Sequence, residues 1–221
     1  KENKIICDLR KVSPNLSMNY EMVIHVAGKA HLVPKSKEEE SDFFHVNFDG
    51  TRNLINGVEK SGRLPKSIIF ISTVAVYGLE KGKMINEKQN RNAIDAYGLS
   101  KIKAEDFLIE WGKKNNVKIG IVRPPIIIGR NAPGNLKAMV KAIKSNRYMN
   151  INHGNVRRSM VLAEDLAVFL PIIAKHGGIY HLTDGYHPTF GEISNLIAKH
   201  FGKKKVQNLP LSIARIFAKI G

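Results

Sequence analysis

Short apolar runs alternate with longer amphipathic stretches along the first 130 residues. Residues 21–27, 67–72 and 118–123 are apolar and β-branched with few polar interruptions. Residues 43–62 place apolar side chains at 44, 48, 54, 55 and 58, and residues 97–115 form a second strong helical pattern. Near-continuous apolar strands separated by helices predict a parallel sheet covered on both faces. The fold class is therefore α/β, a doubly wound parallel sheet. After residue 130 the pattern changes: helices are predicted over 135–144, within 159–175 around Pro171, over 190–201 and near 209–221, with a short strand at 178–183. This divides the chain into a domain over 1–130 and a smaller lobe over 131–221, interleaved with the first.

Composition excludes several classes. The 43% apolar and 24% charged residues are those of an ordinary globular protein. The longest apolar stretch, 67–77, is too short to span a bilayer, which takes about 20 residues. The single Cys7 excludes an internal disulfide and fits a reducing, cytoplasmic setting. Thirty-five Lys and Arg against nineteen Asp and Glu give +16. The charge reads as spread along the chain, with Lys203, Lys204 and Lys205 its densest run. It is expected to attract anionic ligands rather than to mark a nucleic-acid partner.

Candidate chemistry gathers at predicted strand ends. Tyr97 and Lys101 stand four apart at a helix start and so share one face. An ammonium about 4 Å from a phenol contributes about 4 kcal/mol at an effective dielectric near 20, enough to lower its pKa by roughly three units. A tyrosine so tuned exchanges protons near pH 7. Alone the pair is common on exposed helices. Its context is more specific: Ser72 and Thr73 end one apolar strand, Ala27 and Gly28 another, and Arg123, Pro124 and Pro125 a third. In open parallel sheets ligands bind beyond those carboxyl ends. His25 reads as a packed strand histidine, and His31 as either loop structure or a ligand contact.

Together the segments Asp8-Leu9, residues 23–28, 47–51 and 71–78, Tyr97-x-x-x-Lys101 and residues 123–125 resemble the extended short-chain dehydrogenase/reductase family of NAD-dependent sugar-nucleotide epimerases and dehydratases. Residues 25–31, 123–129 and 157–161 look most like its UDP-hexosamine 4-epimerase and 4-keto reductase branch. The resemblance implies a Rossmann-like sheet and an NAD or NADP cofactor. Tyr97 would be the acid/base, Lys101 its partner and a ribose ligand, and Ser72 or Thr73 would bind the reacting sugar oxygen. Asp8 and Leu9 would lie along the adenine; Ala27, Gly28, Lys29 and Pro124 along the rest of the cofactor; Asn47 would support the site. Arg158 would hold the diphosphate of a UDP-linked sugar, because a planar guanidinium forks onto phosphate oxygens. Helices 43–62 and 97–115 would form the face of a homodimer. An acid pair typical of dehydratases does not follow Thr73, where Val74 and Ala75 stand.

One departure is large. None of the eighteen glycines forms G-x-x-G-x-x-G or G-x-G-x-x-G, the turn that receives a pyrophosphate at a helix N-terminus. The chain opens near the family's third strand, so the resemblance implies a start that lies outside these residues. The 221 residues alone are expected to bind NAD(H) poorly, to show no turnover, and to leave strand 23–27 without a neighbour on one side. A non-catalytic NAD(P)-fold binding or regulatory protein is the alternative reading.

Overall fold

The computed structural model describes residues 4–16, 18–30, 32–130 and 134–220. In chain order the strands and helices are β1 (Met22–His25), α1 (Lys37–Phe44), α2 (Gly50–Lys60), β2 (Ser67–Ile71), α3 (Ala96–Asn115), β3 (Lys118–Val122), β4 (Ile126–Ile128), α4 (Asn135–Lys144), β5 (Asn150–Ile151), β6 (Met160–Leu162), α5 (Ala163–His176), β7 (Gly178–Tyr180), α6 (Phe190–His200), β8 (Asn208–Leu209) and α7 (Leu211–Ile220). A π-helical turn, His45–Asp49, joins α1 to α2. The chain forms two compact units, Lys1–Pro124 with Asp165–Leu182, and Pro125–Glu164 with Thr183–Gly221.

The first unit holds a parallel sheet in the order β1-β2-β3-β7. Every residue of β2 is buried, as a strand covered on both faces requires. Ile68 and Phe70 pack with Ile55, Ala104, Leu108 and Trp111 of α2 and α3. The opposite face meets α5 at Gly120: a Cβ there would stand 2.5 Å from the Ile173 side chain and 2.6 Å from Ile69, so only glycine admits that approach. Among the described residues β1 has a strand neighbour on one side only, as the resemblance implies.

The first helix starts earlier than the pattern suggests. Ser36 caps α1 by accepting from the Glu39 N–H at 3.3 Å, and Glu38, Glu39 and Glu40 fill its first turn. That turn carries no apolar period, so hydrophobic spacing locates only the later part. The paired β4 and β6, and β5 and β8, are two or three residues long, too short to show any period.

The second unit contains the β4-β6 and β5-β8 pairs and a small core where Met139 and Ile143 of α4 meet Ala198 and Val206. Charge is not spread as the linear sequence suggests. This unit carries thirteen Lys and Arg against three Asp and Glu, so it holds +10 of the chain's +16. Two stretches without acidic residues, 125–163 and 193–221, are distant in sequence and fold into the same unit.

Candidate functional site

The end of β2 separates two adjacent hydroxyls. The Ser72 N–H still donates to the Val122 carbonyl at 2.7 Å, so the strand alternation persists through Ser72. Its side chain therefore points the same way as Ile68 and Phe70, toward α3. There its hydroxyl donates to Glu105 Oε1 at 2.5 Å. Glu105 is fully buried and also accepts from Arg123 Nε at 3.0 Å, Arg123 Nη2 at 2.6 Å and Arg91 Nη1 at 3.2 Å. Arg123 Nη1 extends the cluster to the Tyr77 hydroxyl at 2.9 Å, which meets His181 Nε2 at 2.5 Å. Ser72 is thus committed to a buried ionic hub, on the opposite side of the strand from Thr73.

Thr73 turns the other way. Its hydroxyl caps a short 3₁₀ turn, Val74–Tyr77, by accepting from the Ala75 N–H at 3.1 Å, and it lies close enough to the Tyr97 phenol to favour that group's ionised form. The Val74 N–H donates to the Pro124 carbonyl at 3.2 Å, which brings the end of β3 to the same turn. Tyr97 stands in the first turn of α3, whose N-cap Asp95 accepts from the Gly98 N–H at 2.9 Å.

Lys101 lies one turn further on, buried, with Nζ donating to the Ile71 carbonyl at 2.9 Å and 4.6 Å from the Phe70 ring centroid. Burial lowers its pKa to about 8, opposed by Glu105. The expected depression of the Tyr97 phenol by Lys101 does not occur here. Burial pushes that phenol up, the neighbouring Thr73 hydroxyl pulls it down, and Asp95 pushes it up again. Sharing a helix face is not enough, because Lys101 points its ammonium at the strand-end carbonyl.

Asn47, fully buried on the π-helical turn, organises the loop after β1. Its Oδ1 accepts from the Lys29 N–H at 2.7 Å, and its Nδ2 donates to the Lys29 carbonyl at 3.1 Å and to Ser100 Oγ at 2.9 Å. Gly28 is pressed between these groups: a Cβ would lie 3.0 Å from Lys101 Nζ and 3.1 Å from Asn47 Oδ1. Ala27, Asp8 and Leu9 line a cleft of about 340 Å³ with Cys7, Arg10 and Val46. Arg10 clamps the Asp8 carboxylate through Nε and Nη2, and with that hydrogen bonding the carboxyl falls to about 2. An ionised acceptor, an apolar wall and a strand end without side-chain bulk suit an adenosine with its ribose hydroxyls.

Eleven of the expected site residues, all but Arg158, therefore lie in the first unit. Arg158 belongs to the second, where its N–H donates to the Pro188 carbonyl at 3.0 Å. Its exposed side chain has no hydrogen bond or ion pair among the described residues. His31 lies outside the described residues. Glu105, Tyr77 and His181 were not expected. Glu105 alone had a signal, since Tyr97, Lys101 and Glu105 recur every four residues on one helix face.

His25 is a packed histidine, as expected. The Thr51 hydroxyl donates its one hydrogen to the Asn47 carbonyl at 2.6 Å, so His25 Nε2 must donate to Thr51 Oγ1 at 2.8 Å. Burial, then Lys101, lower its pKa to about 4. The unfolded chain binds this proton near pH 6.5 and the folded chain only near 4, so stability falls as pH drops through that window. The loss should approach roughly 3 kcal/mol. Denaturant titrations at several pH values should show it, and His25→Gln, which keeps a donor but cannot charge, should flatten the dependence between pH 6.5 and 4.

Residues 4–182 match the model of the NAD dependent epimerase/dehydratase family. The chain belongs to that family. Among similar curated proteins, the N-acetyl-alpha-D-glucosaminyl-diphospho-ditrans,octacis-undecaprenol 4-epimerase of Escherichia coli O157:H7 is 35% identical over 130 residues, 58% of this chain and 38% of the relative. The UDP-glucose 4-epimerase of Vibrio cholerae is 26% identical over 215 residues, 91% of this chain and 64% of the relative. The chain thus spans between about two fifths and two thirds of these relatives' lengths. Among solved structures, RMD from Pseudomonas aeruginosa complexed with NADPH superposes with a TM-score of 0.73 at 22% identity, covering 90% of this chain and 74% of that one. UDP-N-acetylglucosamine 4-epimerase from Bacillus cereus gives 0.71 at 23% identity, covering 86% and 66%. These likenesses establish the Rossmann-like fold of an epimerase/dehydratase. No described helix is long and apolar enough to cross a membrane.

Proposed function

We propose that this epimerase/dehydratase is an NAD(P)-dependent 4-epimerase or 4-keto reductase of a UDP-linked hexosamine, with Tyr97 as its acid/base. The observation that carries the reading is the Tyr97 phenol beside the Thr73 hydroxyl at the carboxyl end of a central strand, one helical turn from buried Lys101. NAD(P), when bound, exchanges a hydride with sugar carbon 4. Asp8, Leu9 and Ala27 would hold its adenosine end, while Gly28, Lys29, Asn47, Lys101 and Pro124 would border its other ribose and ring. A neutral phenol, held protonated by burial, can give its proton to a carbonyl oxygen at carbon 4, and Thr73 can hydrogen-bond the same oxygen. Taking the proton back serves the reverse direction. A purely regulatory role would give Tyr97, Thr73 and Lys101 no reason to converge.

The full-length enzyme, given UDP-N-acetylglucosamine and trace NAD, is expected either to form the 4-epimer with no net change in nicotinamide absorbance, or, given the 4-keto sugar, to consume NADH stoichiometrically. Neither product nor NADH loss with any UDP-hexosamine would overturn the proposal.

Arg158 would take the diphosphate, because its neighbour Arg157 is already occupied by the His187 carbonyl at 2.8 Å and by Glu192 at 4.0 Å. Arg158→Ala should weaken UDP binding by about 1.5–3 kcal/mol, the loss typical of a hydrogen bond to a charged group. Calorimetry with UDP reads this directly; unchanged affinity would leave Arg158 as a surface cation.

A further inference from the structure

The basic charge of the second unit has a location that the proposed chemistry does not use. Lys144 Nζ lies 4.3 Å from the Phe201 ring centroid, so the last turn of α4 meets the last turn of α6. Lys141, Lys144 and Arg147 are thereby gathered with Lys199, Lys203, Lys204 and Lys205. None of these seven forms an ion pair among the described residues. Neither contributing stretch contains an acid that could compensate them.

Exposed aliphatic side chains adjoin this end. The parallel β5-β8 pair, with the Asn150 N–H donating to the Gln207 carbonyl at 2.9 Å, lays 149–151 beside the segment that follows the three lysines. Met149 and Ile151 are 47% and 54% exposed there, and Leu211 and Ile213 on α7, which follows β8 directly, are each 41% exposed. Uncompensated cations beside exposed aliphatic groups match a surface with anionic headgroups above an apolar interior. Each lysine gains from the negative surface potential, and each inserted aliphatic group gains from leaving water. A nucleic acid would reward the cations but give these aliphatic side chains nothing to enter.

We propose that this end of the second unit docks onto an anionic phospholipid bilayer. The inference rests on charge and exposure, not on the activity proposed above, so either can fail alone. The test is sedimentation of the purified protein with vesicles of phosphatidylcholine alone or with roughly one third phosphatidylglycerol. The protein should bind the anionic vesicles at least tenfold more tightly, and added salt should weaken the binding. Replacing Lys203, Lys204 and Lys205 together by glutamine should reduce it on the order of 100-fold, with an unchanged circular dichroism spectrum. Met149→Ser with Ile151→Ser should weaken the part that survives high salt. Equal binding to both vesicles, or an unaffected lysine variant, would overturn the proposal. So would duplex DNA binding more tightly than anionic vesicles, with no effect of the serine changes, which would assign the surface to a polyanion.

Discussion

Tyr97→Phe in the full-length enzyme is expected to lower turnover by roughly 10² or more with little change in nucleotide affinity. The ring of Tyr97 lies 6.0 Å from that of the buried Phe43, and phenylalanine keeps this packing while losing the phenol proton that the proposed acid/base step requires. On the proposed mechanism Thr73→Val should also cut turnover, because it removes the hydroxyl beside the Tyr97 phenol that would hydrogen-bond the sugar oxygen. Ser72→Ala should instead cost stability, because it removes one of four hydrogen bonds to Glu105. Steady-state kinetics beside thermal melts separates the two hydroxyls. A Tyr97→Phe enzyme of near-normal turnover would remove the acid/base assignment. Equal kinetic losses at Ser72 and Thr73 would contradict their opposite orientations.

The largest expected stability effect belongs to Glu105. Its carboxylate and the Arg123 guanidinium are both buried, joined by two hydrogen bonds at 3.0 and 2.6 Å. Glu105→Ala would leave Arg123 charged and unpaired in the core, a loss of about 3–5 kcal/mol. In a chain of this size that is a fall in Tm of roughly 10 °C. Replacing both residues by methionine should recover most of the loss, because two apolar side chains have no charge to desolvate. Melts of the single and double variants decide it: a double variant as unstable as the single would mean that the pair itself, not the orphaned charge, sets the stability. The hub joins α3, the ends of β2 and β3 and the turn at Tyr77, so its loss should also loosen the frame on which Thr73 and Tyr97 stand.

The layered α/β class, the three long sheet strands and the helix carrying Tyr97 and Lys101 are legible in the residue pattern, because burial on both faces and helical period leave a local signal. That pattern also marked where strand ends would bring Thr73, Gly28 and Pro124. Long-range contacts set the features that have no local pattern. Ser72 and Thr73 are neighbours of similar chemistry, and only the ladder register, held by the Ser72 N–H to the Val122 carbonyl, sends one to Glu105 and the other to Tyr97. Lys101 shares a face with Tyr97 by period alone, yet the Ile71 carbonyl takes its ammonium. The charge looked spread along the chain, and the packing of α4 against α6 brought two acid-free stretches, 125–163 and 193–221, into one basic unit. In each case the deciding partner lies tens of residues away, where a contact depends on the fold and not on spacing.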